Sequence, residues 1–262
     1  MRIRLAALLL LLAGPAFGQE PARLLGLSTQ GGDLRAELAD RTVLHGADLV
    51  GAVLRFERLE LRLDEVRRDE SVPGTERGTF ADDVWLFRVS SREPGGEWSE
   101  FCAADPAGER LAMVLPTEPG AFALTCSAGA NGKCIRMGYR PWARLADGRS
   151  LSAWHAACVH MLRAAYGGDE RGFTRDGTPV DVFDRIGLQS PANLADQAFE
   201  AGWAEDGAVC VAHPRISANG SLSAIVRHVP RLIGRTGPAA CDENRAGALG
   251  ALIFSRSRLT NP

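Results

Sequence analysis

Lysine is almost missing from this chain: Lys133 is the only one among 30 basic residues, the rest being arginines. Such one-sided usage reflects genomic codon bias before it reflects chemistry. Positive charge is not in excess either, since 32 acidic residues leave a formal net charge of −2. Without a basic field to displace counterions, nucleic acid is not an expected partner. A second long hydrophobic run is also lacking, so no later segment is read as holding the chain in a membrane. Gly-x-Ser-x-Gly and His-Glu-x-x-His are both absent, which removes the local signatures of common serine hydrolases and zinc proteases. Nor is there an internal repeat, a heptad array or a low-complexity tract. What remains, 45% hydrophobic and 24% charged over 262 residues, is the composition of a folded globular chain.

The N-terminus carries the plainest signal. Arg2 and Arg4 form a basic start, Leu5 to Leu12 an apolar core, and Gly14 to Gly18 a small-residue, helix-breaking exit. Ala16 and Gly18 fit the small-x-small pattern of signal peptidase, giving an expected cut before Gln19. The apolar core is far shorter than the roughly twenty residues that span a bilayer, so it reads as a leader and not an anchor. No cysteine follows the cleavage region, which argues against a lipoprotein. Removing residues 1–18 takes away two arginines and no acids and moves the formal charge from −2 to −4. The expected product is exported, periplasmic or extracellular, with no stable membrane insertion.

Six cysteines follow: Cys102, Cys126, Cys134, Cys158, Cys210 and Cys241. An even count in an exported chain reads as a disulfide framework, with fifteen connectivities open. Cys158 lies near His155 and His160, but no second Cys-x-x-Cys or His-x-x-His pair completes a zinc site. A Cys158–His dyad is weaker still, because an unpaired thiol is hard to keep reduced outside the cytosol.

Periodicity divides the chain in two. Residues 19–125 read as a β-rich region of short antiparallel strands: Val53 to Leu63 alternates, most clearly from Leu59, and Asp83–Val89 and Leu111–Leu115 are further candidates. Pro73-Gly74, Pro94-Gly95-Gly96 and Pro119-Gly120 punctuate them, and the charged stretch Asp64 to Thr79 reads as a solvated loop or strand end. Residues 126–262 read as a cysteine-rich α+β region. Leu151 to Tyr166 is its best helix, with Trp154, Cys158, Met161 and Leu162 on one face and Gly167-Gly168 as the expected stop. Val180–Phe183 is a short apolar segment, Ala208–Ala212 and Leu249–Ser255 are strand candidates, and Leu222–Ile233 is a helix broken at Pro230. The fold class is therefore α+β, with a β-rich N-terminal half and a mixed, disulfide-rich C-terminal half.

An acidic group, Asp169, Asp176, Asp181 and Asp184, crowds one loop-to-strand region. A hard cation such as calcium takes about six to eight oxygens, and closely spaced carboxylates supply several. The spacing does not match an EF-hand, and ordinary turn chemistry, with aspartates bonding nearby amides, is the simpler account. Paired carboxylates also serve glycoside cleavage, but nothing in the sequence sets their separation. Trp142, Trp154 and Trp203 read either as a binding groove or, more simply, as core around the bridges.

Several blocks in order resemble a known family. They are Leu124 to Ala130, Gly132-Lys133-Cys134, Gly138-Tyr139-Arg140-Pro141-Trp142, His155-Ala156-Ala157-Cys158, Met161 to Asp169, Thr174 to Asp184, Phe199 to Trp203 and Gly207 to Val211. Together they resemble the ADYC-domain proteins, a bacterial exported family of unknown function. The resemblance implies export and a disulfide framework and supplies no activity. The tetrad that names the family stands here as Ala164-Ala165-Tyr166-Gly167, without its acid or its cysteine. The resemblance also implies a second cysteine before a Pro-Arg-Leu element, where this chain has Val229 before Pro230-Arg231-Leu232, so one bridge is expected to have been lost as a pair.

Two functional readings follow. The first is a non-catalytic exported module that binds a protein or an envelope component, with no cofactor. The second is an exported hydrolase or metal-dependent enzyme that uses the acidic loop, with His155 or His160.

Overall fold

The computed structural model describes residues 23–70, 84–117 and 121–259, with the two-residue strands Arg2–Ile3 and Leu10–Leu11. Most of the expected leader, its cleavage site, Asp83, Pro73-Gly74, Pro119-Gly120 and the stretch from Ser71 to Thr79 lie outside the described residues. The chain forms two compact units, Met1–Lys133 and Cys134–Pro262.

The first unit is built from antiparallel strands. Leu24–Gln30 (β1), Asp33–Leu38 (β2) and Val43–His45 (β3) make a three-stranded sheet in that order. Val53–Phe56 (β4), Leu59–Arg68 (β5), Trp85–Arg92 (β6), Leu111–Pro116 (β8) and Phe122–Cys126 (β9) make the larger sheet, with Ser99–Glu100 (β7) added to β6. Its path runs β9-β8-β6-β5-β4, and Arg2–Ile3 and Leu10–Leu11 pair with β9 and β4 at its two ends.

Alternation explains most of this sheet, and two irregularities explain the rest. The run from Val53 to Leu63 is two strands and not one: Glu57-Arg58 turn the chain, and Leu54 pairs with Leu61 across the hairpin. Farther along β5 the register shifts between Leu63 and Glu65. That bulge moves the buried phase from Leu61 and Leu63 to Val66, so the strand keeps its apolar side inward while the odd-numbered alternation ends. Asp64–Arg68 therefore continues a strand. Leu54, Leu61, Leu63, Phe87, Val89, Val114 and Phe122 form one core with Leu27, Leu34 and Leu38 of the smaller sheet. Cys102 and Cys126 close this unit with a disulfide.

The second unit places helices on a four-stranded sheet. Val180–Asp184 (β10), Gln197–Ala204 (β11), Gly207–Val211 (β12) and Ile253–Arg258 (β13) run in the order β10-β13-β11-β12, all antiparallel. Ala130–Arg136 (α1) crosses the boundary between the units, and Ser152–Arg163 (α2), Leu222–His228 (α3) and Glu243–Ala248 (α4) follow. Trp154, Cys158 and Met161 of α2 are buried with Trp203, Val211 and Ile253 of the sheet. Another cluster gathers Phe183, Val209, Phe254 and Ala246 of α4. At Gly202 a Cβ would stand 2.5 Å from the Ala246 Cβ, so glycine is what lets α4 approach the strand.

Two expectations about helix ends need correction. The stop of α2 is not Gly167-Gly168 but Ala164, which adopts a left-handed conformation (φ 47°, ψ 40°) directly after Arg163. The apolar stripe continues past the stop because Ala164, Ala165 and Tyr166 are themselves buried, so periodicity overran the helix. The tail strand begins at Ile253 rather than Leu249, because α4 and its exit occupy the intervening residues. The break at Pro230 is real: α3 ends at His228 and a short 3-10 turn spans Pro230–Leu232.

Candidate functional site

The left-handed turn at Ala164 drives the tetrad inward. Tyr166 is fully buried, stacked on Trp203 at 5.2 Å between ring centroids and tilted against Phe173 at 5.5 Å. Its hydroxyl donates to Glu200 Oε1 (3.0 Å) and accepts from the backbone N–H of Arg215 (2.9 Å). Arg215 Nε in turn donates to Glu200 Oε2 at 3.0 Å, and Nη1 donates to the Leu162 carbonyl at 3.2 Å. Both ionic side chains are enclosed, with 1% and 0% exposure. Burial, then the Glu200 charge, pushes the Tyr166 phenol well above its ordinary range, so it stays a neutral donor.

The backbone of the tetrad is held as firmly. The Tyr166 carbonyl accepts from the Ala208 N–H (3.0 Å) and from Arg231 Nη2 (3.2 Å). Arg231 also donates to the carbonyls of Ala208 and Asp206, so the Pro-Arg-Leu element clamps the tetrad to the β11–β12 turn. Gly168 has φ +77°, and a Cβ there would fall 2.1 Å from the Asp206 carbonyl oxygen. The sequence alone does not single out Glu200 or Arg215. The available signal was an acid inside an otherwise apolar strand segment, Phe199-Glu200-Ala201-Gly202-Trp203.

The four aspartates do not converge. Asp184 is an internal hub: Oδ1 accepts from the amides of Ile186, Gly187 and Leu188, and Oδ2 from Gln189 N (2.8 Å) and the Tyr139 hydroxyl (2.7 Å). Asp181 is buried and accepts from Ala192 N (2.9 Å) and Asn193 N (3.3 Å), with Arg256 at 3.9 Å. Asp169 pairs with His228 at 2.7 Å on the surface and accepts from Arg171 N. Partial burial opposes its ionisation, but the Arg171 amide and His228 outweigh that and hold the carboxyl below its usual range. Asp176 stands exposed in the Asp176-Gly177 turn. Among the described residues no three His, Cys, Asp or Glu side chains stand close enough to hold a metal ion.

The remaining candidates are the cysteines, two histidines and three tryptophans. All six cysteines pair in sequential order, Cys102–Cys126, Cys134–Cys158 and Cys210–Cys241. The thiol of Cys158 is thereby consumed, and it is neither a nucleophile nor a zinc ligand. His155 is buried in α2, and its Nδ1 donates to the Tyr139 carbonyl at 2.8 Å. Burial lowers its pKa, and that of half-buried His160, below the ordinary histidine value. Trp203 is fully buried and donates from Nε1 to Ser255 Oγ at 2.9 Å; Trp154 is buried and Trp142 half-buried. The two positions at which the resemblance implies cysteines are neighbours: a Cβ built on Gly167 lies 3.2 Å from Val229 Cγ2.

A polar cleft of about 270 Å³ in the first unit is lined by Glu65, Arg67, Arg88, Glu109, Arg110 and Leu111. Arg67 is neutralised by Glu65 (3.0 Å) and Glu109 (2.6 Å), and Arg88 by Glu100 (2.5 Å). This lining lacks the apolar walls that give small-molecule sites their affinity.

Residues 46–217 match the family model for the ADYC domain, a span that begins in the β-rich unit and takes in Tyr166, Glu200 and Arg215. No curated protein and no solved structure matches the chain.

Proposed function

This chain belongs to the ADYC-domain family, and from that premise we propose that it is a non-catalytic exported module that binds a protein or an envelope component. The observation that carries the reading is the enclosure of Tyr166. The tyrosine of the naming tetrad spends its hydroxyl on the Glu200–Arg215 pair and its carbonyl on Ala208 and Arg231, out of reach of any substrate. Asp181 and Asp184 likewise spend their oxygens on loop amides, which is work that builds a scaffold. Three disulfides suit an oxidising compartment, and among the described residues no helix is long and apolar enough to cross a membrane.

Two alanine variants test the absence of acid–base chemistry. Asp176→Ala is expected to leave stability and any measurable activity unchanged, whereas Asp181→Ala lowers stability by leaving two amides without their acceptor. An activity lost in Asp176→Ala at unchanged stability would move the protein to the enzyme class. Intact-mass measurement of the secreted protein tests export, with Gln19 as the expected first residue.

A further inference from the structure

The outer edge of the three-stranded sheet is built for pairing. β1 lies at that edge, joined on its inner side to β2 through the two-residue turn Gly31-Gly32. In such a hairpin the closing pair, here Gln30 and Asp33, exchanges hydrogen bonds, and the pattern then alternates. The residues paired inward are therefore Gln30, Ser28 and Gly26, and Leu27 and Thr29 turn their N–H and C=O groups to the open edge. Among the described residues nothing bonds to those groups.

Exposed edges are normally blunted by charge, proline, shortness or cover. β1, Leu-Leu-Gly-Leu-Ser-Thr-Gln, has seven residues and neither a charge nor a proline. The edges at β3, β10 and β12 differ from it. β3 has only three residues, β10 carries Asp181 and Asp184, and Thr236 bridges the outer side of β12 at Val211. The bulge at the start of β1 leaves a regular stretch from Gly26 to Gln30.

We propose that this edge joins two copies of the chain, through an antiparallel ladder with its two-fold axis at Ser28. That register sets Leu27 of each copy against Thr29 of the other, which is the set whose backbone groups are free. Side chains agree with it: Ser28 meets Ser28, Gly26 meets Gln30, and no like charges are opposed. Arg23 of each copy comes beside the turn that carries Asp33 of the other. That carboxylate already accepts from the Gly46 amide and pairs with His45, so the strand ends are opposite in sign of charge without a new ion pair being required. A two-fold contact of this kind closes on itself and does not grow into a fibre.

Sedimentation velocity and amide exchange on the purified protein test the proposal. A dimer that dissociates on dilution is expected, with protection at the Leu27 and Thr29 amides lost in step. Ser28→Cys should give an interchain cross-link on oxidation, since the six native cysteines are already paired. Ser28→Lys, at an exposed position, should abolish the dimer and keep the melting temperature of the unmodified chain when both are measured at a dilution where that chain is monomeric. A monomer at every concentration would overturn the proposal. So would a folded Ser28→Lys variant that still dimerises. Protection of Leu27 and Thr29 that is independent of concentration would show the chain covering its own edge, with the same consequence.

Discussion

At the scale of single residues, the interior of the second unit is organised by charge and not by apolar contact alone. Glu200 and Arg215 are enclosed, and a buried pair stabilises only while both partners and their hydrogen bonds are present. Arg215→Met should therefore cost about 3–5 kcal/mol, since it leaves the Glu200 carboxylate buried and unpaired. Tyr166→Phe removes one donor and one acceptor and should cost about 1–3 kcal/mol. Urea unfolding measures both, and the order Arg215→Met worse than Tyr166→Phe is the informative outcome. His155 adds a pH dependence. Its folded pKa is lowered, so the unfolded chain takes up the proton first as pH falls. Its stabilising contribution is complete above the unfolded value of about 6.5 and declines at lower pH. Melting temperature should fall from neutral pH towards mildly acidic pH, and His155→Gln should flatten that slope, with half-buried His160 accounting for part of what remains.

At the scale of elements, the segment after α2 is held without the bridge that the family resemblance implies. Gly167 and Val229 sit where two half-cystines would sit. Roughly 3 Å separates a Cβ from the far sulfur across a disulfide with an S–S bond of about 2.05 Å, and the Gly167 Cβ would lie 3.2 Å from Val229 Cγ2. Asp169–His228 and the Arg231 clamp join the same two segments in its absence. The double variant Gly167→Cys/Val229→Cys should oxidise to a fourth intrachain bridge, detected as no gain in alkylatable thiols. Free thiols at both positions after oxidation would show that the two segments do not meet. The existing bridges span 24, 24 and 31 residues, and in the chain-entropy account each stabilises by about 3–4 kcal/mol. Cys134→Ala/Cys158→Ala, which frees α2 from α1, should lower stability by about that amount.

At the scale of the whole molecule, two units with separate cores carry sequential cystines that join near neighbours along the chain. Alkylation without reductant should find no free thiol, and a thiol at Cys158 would reopen metal or nucleophilic chemistry there. Sequence by itself determined the α+β class, the β-rich first half, the even cysteine set and the family, because these rest on local periodicity, composition and motif order. It placed α2 to within a few residues, because an amphipathic stripe is local too. Tertiary structure alone decided the pairing of the cysteines, since fifteen connectivities share one sequence. It decided that the stripe of α2 continues past the helix, because burial of Ala165 and Tyr166 comes from the sheet they meet and not from helical phase. It also decided that the four aspartates, near one another along the chain, do not converge: Asp181 and Asp184 brace successive parts of the β10–β11 loop, Asp169 pairs with His228, and Asp176 stands exposed. Glu200 and Arg215, 15 residues apart, became a pair only when β11 and the segment after β12 met around Tyr166. Contacts of that kind arise from the closing of the sheet, and no local pattern records them.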